Sequence, residues 1–145
     1  MITKIGDTIL SVTFEEGLEN HRGDKVLGLS YVKDGFGYIK ISKDLDLPKF
    51  WEYIEGSTKG SLCSVQKKAV MGLLGLTKDV LGTIITTPAR AQEFLLRHEL
   101  SHIRHHDSEN QKLNKAGHLS LYRIGIEARA TSEAWSEMLK KYGNI

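Results

Sequence analysis

Thr87-Pro88-Ala89-Arg90-Ala91-Gln92-Glu93-Phe94-Leu95-Leu96-Arg97-His98-Glu99-Leu100-Ser101-His102 is the stretch on which the fold of this 145-residue chain turns. Threonine then proline is a helix start, because the hydroxyl can accept from an orphan backbone N–H and proline's fixed φ suits the first helical position. Ala91, Phe94, Leu95, His98 and His102 follow at helical spacing. A helix over 88–107 therefore carries an apolar stripe, which must be buried, straight into two histidines.

Outward from that helix, β-branched and apolar residues predict strands over 8–14, 25–33 and 36–42, with Asp34-Gly35 as a hairpin turn. Residues 47–55, with a proline near the start and Phe50, Trp51 and Ile54 following, suit a short helix; 62–74 reads as a weaker one. Residues 80–86 read as a strand leading into the motif helix, and 117–140 as a last long helix weakened by Gly125. The expected architecture is a small α+β domain: an N-terminal antiparallel sheet, the motif helix and a second helix behind it.

Hydrophobic residues make up 40% and charged residues 26% of the chain, which fits one domain over 1–145; the loop-like run 55–61 is not read as a boundary. A net charge of +2 from 20 basic and 18 acidic residues leaves no footprint for nucleic acid, and the small cluster Arg97, Arg104, His105 and His106 does not change that expectation. Apolar runs are too short for a membrane span. One cysteine, Cys63, excludes an internal disulfide and reads as a core residue, and the start Met1-Ile2-Thr3-Lys4-Ile5-Gly6-Asp7 is unlike a signal peptide, so a cytoplasmic protein is expected.

Four residues advance a helix by about 400°, so His98 and His102 lie one turn apart on one face and can bind one metal ion together. Glu99 projects about 100° away from His98, where it can touch a metal-bound water without ligating the metal. A catalytic zinc site needs a third protein ligand and an open position. The metzincin arrangement would put glycine and histidine seven and ten residues after His98, where this chain has His105 and Ser108. His105 shares the face but lies about 10 Å along the axis. Glu127, 25 residues after His102, suits an antiparallel helix pair, with Glu133 as its rival on a different face.

In His98, Glu99, His102 and Glu127 the chain resembles the gluzincins, zinc peptidases with a His-Glu-x-x-His helix and a ligand glutamate on a second helix. Ala130 and Ala134, three and seven residues after Glu127, look like that family's second-helix pattern. The run from His98 to Asp107 is similar to soluble relatives of HtpX-type and BlaR-type membrane peptidases, and the size is closer to minigluzincins and ImmA/IrrE-type peptidases. The resemblance spans 87–138 and implies a zincin-like fold, Zn2+, a peptide or protein substrate, and hydrolysis by a zinc-activated water with Glu99 as general base. Thr131 stands where the family often has Asp or Asn, and is expected beside a ligand histidine.

The oxyanion-stabilising candidates are His118, which relatives favour by chemistry, and Arg123, one helical turn before Glu127 and facing the same way; Tyr122 lies about 140° round the helix. His105 and His106 read as a solvated helix end, and Asp107 either as the helix stop or as a partner of a ligand histidine. Phe50, Trp51, Tyr53 and Trp135 read as core. The alternative to a peptidase is a non-enzymatic regulatory or interaction module that keeps zinc as a structural staple, its fourth position closed by a further ligand such as His105, His118 or Cys63.

Overall fold

The computed structural model describes residues 2–6, 8–20, 22–56, 62–114, 117 and 119–143. The strands are β1 (Ile2–Ile5), β2 (Thr8–Glu15), β3 (Gly28–Lys33) and β4 (Phe36–Ser42), in the spatial order β1-β2-β4-β3. Leu10 and Val12 of β2 and Gly37, Ile39 and Ile41 of β4 are buried while their neighbours are not, so one face of the sheet is packed and the other open. All of the described helices that touch the sheet cover the packed face, which makes an α+β domain.

The β3–β4 hairpin is the expected one. Asp34 and Gly35 have φ of 53° and 79°, the paired positive values of a type I′ turn, and Lys33 pairs with Phe36. The expectation of an antiparallel sheet is corrected at its centre: β1–β2 and β3–β4 are antiparallel, but β2 and β4 are parallel, Ile9 opposite Phe36. The cause lies in residues 16–27. They hold a bridge between Glu19 and Lys25 and a turn in which the Asn20 side chain accepts from the Arg22 and Asp24 amides. This excursion sets β3 one strand away from β2, and the tight hairpin returns β4 into the gap. The first residues of the expected strand, 25–27, belong to that connection.

Helix α1 (Leu47–Glu55) is capped by Asp46, which accepts from the Lys49 amide at 2.8 Å, and α2 (Leu62–Leu74) follows, both as expected. The expected strand over 80–86 is not one. Thr77 caps a single turn, α3 (Lys78–Leu81), and Ile84 and Ile85 are buried as irregular chain. The β-branched run signalled burial, and the threonine cap decided the local conformation.

Helix α4 (Pro88–Arg104) starts where expected, Thr87 accepting from the Arg90 amide at 3.2 Å, but stops short of residue 107. His106 turns left-handed, with φ 56°, and a new helix α5 (Asp107–Asn114) begins. The last helix, α6 (Leu121–Tyr142), is capped by Ser120 and starts later than residue 117. Of the run 55–61, only Glu55 and Gly56 are described.

Helix α4 is the central rib. Ala91, Phe94, Leu95 and Ile103 join Leu10, Val12, Ile39, Ile41 and Phe50 in the core, with Ala134 and Met138 from α6. The α4–α6 pair is antiparallel, as its cross-contacts show: Glu93 meets Lys141 at 3.2 Å, Arg97 meets Glu137 at 3.6 Å and Ser101 meets Glu133 at 2.5 Å. Phe50 lies edge-on to Trp51 and Phe94, centroids 5.0 and 6.0 Å apart, so the α1 aromatics belong to the core. Among the described residues no helix is long and apolar enough to cross a membrane.

Phe94, 1% exposed, is the α4 side chain of the core cluster that lies edge-on to Phe50 of α1. Phe94→Ala is expected to cost about 3–5 kcal/mol of unfolding free energy. Leu121→Ala, at a position 89% exposed, should stay within about 0.5 kcal/mol. Urea denaturation checks both, and equal losses would contradict this account of the core.

Candidate metal centre

Helix α4 delivers His98 and His102 on one face, as a spacing of four residues requires, and their rings meet edge to face with centroids 4.8 Å apart. Helix α6 delivers Glu127 between them. Its Oε2 lies 2.9 Å from His98 Nε2 and 3.1 Å from His102 Nε2, and the two nitrogens are 3.1 Å apart. Three donor atoms from two helices thus form a nearly equilateral triangle. Tetrahedral zinc with ligands at about 2.0–2.1 Å separates them by about 3.3 Å, so a small outward shift would seat such an ion.

The other end of each imidazole explains why this triangle suits a cation. His102 Nδ1 is 2.8 Å from Asp107 Oδ2, and because a carboxylate only accepts, Nδ1 carries the proton and donates it. His98 Nδ1 is 3.2 Å from Thr131 Oγ1, a hydroxyl that can accept from it in the same way. With both Nδ1 atoms protonated, both Nε2 atoms present lone pairs toward each other and toward a carboxylate oxygen. Only a cation or added protons can occupy the centre of such a set. Thr131, 5% exposed and one turn beyond Glu127, stands where it was expected, and Asp107, 2% exposed, is a partner of His102 as well as the start of α5.

Electrostatics follow the geometry. Burial opposes protonation of His102, but the Glu127 carboxylate and then Asp107 outweigh it and hold its pKa well above the ordinary value. Burial likewise works against ionised Glu127, and the imidazolium of His102, then His98, overcomes it and holds Glu127 well below the usual carboxylate range. Asp107 is lowered too: its burial is offset by His102 and Arg129.

Glu99 is 7% exposed, and its Oε2 is buried with no hydrogen-bond partner among the described residues. Ligand atoms of His98, Glu99 and His102 all lie within 4.8 Å of one another. A buried acceptor left unpaired costs about 1–3 kcal/mol or more. Gly28, at the start of edge strand β3, is beside it: a Cβ on Gly28 would stand 3.7 Å from Glu99 Cγ. On the other side of His98, Ile54, Val70, Met71, Phe94 and Leu95 line an apolar cavity that Glu127 and Thr131 border, with Gln66 and Lys67 of α2 at its rim.

The remaining candidates separate cleanly. Glu133 accepts from Ser101 at 2.5 Å and pairs with His105 at 2.8 Å, so it is engaged away from the triangle. His106 pairs with Glu109 at 3.3 Å on the surface. Arg123 is half-buried on α6, one turn before Glu127; His118 lies outside the described residues. Sequence reasoning missed Arg129, whose guanidinium binds Asp107, and missed α2 as a wall of the cavity.

Comparisons of this chain with protein-family models, with curated proteins and with solved structures gave no match.

The pKa directions set the behaviour of metal-free protein. His102, raised on folding, stabilises fully below its unfolded pKa of about 6.5, and that contribution disappears as the pH rises through the folded value. Glu127, lowered on folding, stabilises above its unfolded pKa of about 4.3 and loses this as the pH falls through its folded value. The metal-free melting temperature should therefore peak between about pH 4.3 and 6.5. Zinc should raise it most on the alkaline side, where protons no longer compete for Nε2. Melting curves across pH with and without zinc test this; a zinc effect that grows toward acid would contradict it.

Proposed function

We propose that this chain is a zinc-dependent metallopeptidase of the gluzincin type, with His98, His102 and Glu127 as ligands and Glu99 as general base. The observation that carries the reading is the convergence of His98 Nε2, His102 Nε2 and Glu127 Oε2 within 3.1 Å of one another, beside the unpartnered Glu99 Oε2. Zinc held there supplies a Lewis acid for a peptide carbonyl and acidifies water. Glu99 accepts the attacking water's proton at Oε2 and returns it to the leaving nitrogen as the C–N bond breaks. Arg123 has the oxyanion role in this reading, and His118 remains its rival. A cytoplasmic location belongs to the same proposal.

Peptide as the substrate class is supported by strand β3. It is an edge of the sheet, with backbone groups along one side unpaired within the sheet, and it begins against Glu99. An extended chain added along that edge would pass over the base, with the small apolar cavity beside His98 close by. This edge takes the place of the strand once expected over 80–86. The alternative, a structural zinc in a non-enzymatic module, needs a fourth protein ligand. His105, a described candidate for that position, is held by Glu133.

Incubating purified protein with a complex peptide mixture and reading new termini by mass spectrometry should reveal zinc-dependent cleavage. Glu99→Gln is expected to keep about one zinc per chain and to lower turnover by at least about 100-fold. Arg123→Met should lower kcat by about 10-fold or more with zinc content unchanged. Cleavage that survives Glu99→Gln would sink the mechanism. Full zinc occupancy with no cleavage by the wild type would favour the module.

A further inference from the structure

The corner between α4 and α5 is an unusual way to end a helix. No glycine is present, and His106, which bears a Cβ, takes the left-handed conformation with φ 56°. The consequence is that Asp107, five residues after His102, is folded back under that histidine, its Oδ2 2.8 Å from Nδ1. There the carboxylate is 2% exposed, a place where an ionised group needs more than one partner. The second partner comes from α6: an Arg129 terminal nitrogen binds the same Oδ2.

Positions two apart on a helix diverge by about 200°, so Glu127 and Arg129 cannot address the same atom. They address opposite ends of one imidazole, Glu127 at Nε2 directly and Arg129 at Nδ1 through Asp107. Glu133, one turn further along α6, is held by Ser101 and His105 of the α4 end. The links therefore run from Arg129 of α6 through Asp107 to His102.

We propose that Arg129 is a positioning residue for the metal centre: acting through Asp107, it holds the His102 ring in the tautomer and orientation that aim Nε2 at His98 and Glu127. This rests on the metal-site reading above and adds a residue to it. With Arg129 removed, Asp107 is left buried against a single donor, His102 Nδ1, swings toward solvent, and the imidazole loses the acceptor that defines its tautomer.

The test is zinc affinity of metal-free protein, measured by competition with a chromophoric chelator, together with the absorption spectrum of the cobalt(II)-loaded protein. Arg129→Met is expected to weaken zinc binding about 10–100-fold and to change the cobalt ligand-field bands. Arg129→Lys, which keeps the charge, should recover part of both, and Asp107→Asn should match Arg129→Met. A purely structural role would lower the metal-free melting temperature and leave affinity and spectrum unmoved. An Arg129→Met affinity within twofold of wild type overturns the proposal; if that variant does not fold, Arg129→Lys and Asp107→Asn decide in the same way. Wild-type protein that takes up no zinc, or whose affinity is indifferent to His98→Ala, overturns the metal reading itself and is a separate result.

Discussion

One carboxylate between two imidazoles constrains the rest of the molecule. Glu127 can reach both Nε2 atoms only if α6 lies close against α4, and only if its charge is met there, since a part-buried carboxylate without partners is unfavourable. The sequence of α6 is arranged to allow both. Ala130 and Ala134 are fully buried and small, and Thr131 and Met138 share that side, so the face turned to α4 is narrow beside the two histidines. Thr131 then uses the same close approach to bind His98 Nδ1.

Burial of that pair makes demands on the sheet. Helix α4 must lie on β3 and β4 without gaps, and Gly37 is where β4 lets it in: a Cβ there would stand 3.2 Å from Leu10 Cδ1 and 3.4 Å from Ile103 Cδ1. Gly28 has a related place at the start of β3, beside Leu95 and Glu99. The parallel pairing of β2 with β4 puts β4 inside the sheet and leaves β3 as the outer strand, beginning beside Glu99.

Local chemistry made much of this legible. Asp34-Gly35 specifies a hairpin through two residues that tolerate positive φ, Asp46 and Thr87 specify helix starts through their side-chain acceptors, and the four-residue spacing of His98 and His102 specifies a shared face. The errors share a cause. Residues 80–86 have a strand's composition but no neighbouring strand, and a nearby threonine cap turned the first of them into helix. The end of α4 carries no glycine or proline, so nothing short-range marks the left-handed turn at His106; its reason is the buried Nδ1–H donor of His102 that Asp107 turns back to meet, a partner in place only once the chain has folded.

From its own residues the chain determined which side chains could ligate and which could take a proton, because helical periodicity links sequence spacing to direction in space. It also determined the hairpin, the capped helices and the stripe that had to be buried. Tertiary structure decided the rest: that Glu127 and not Glu133 meets the histidines, that β4 lies parallel to β2, and that Arg129 stands behind Asp107. Those outcomes depend on the relative placement of α6 and α4 and of β3 and β4, which packing sets through contacts between residues far apart in the chain, where periodicity carries no information.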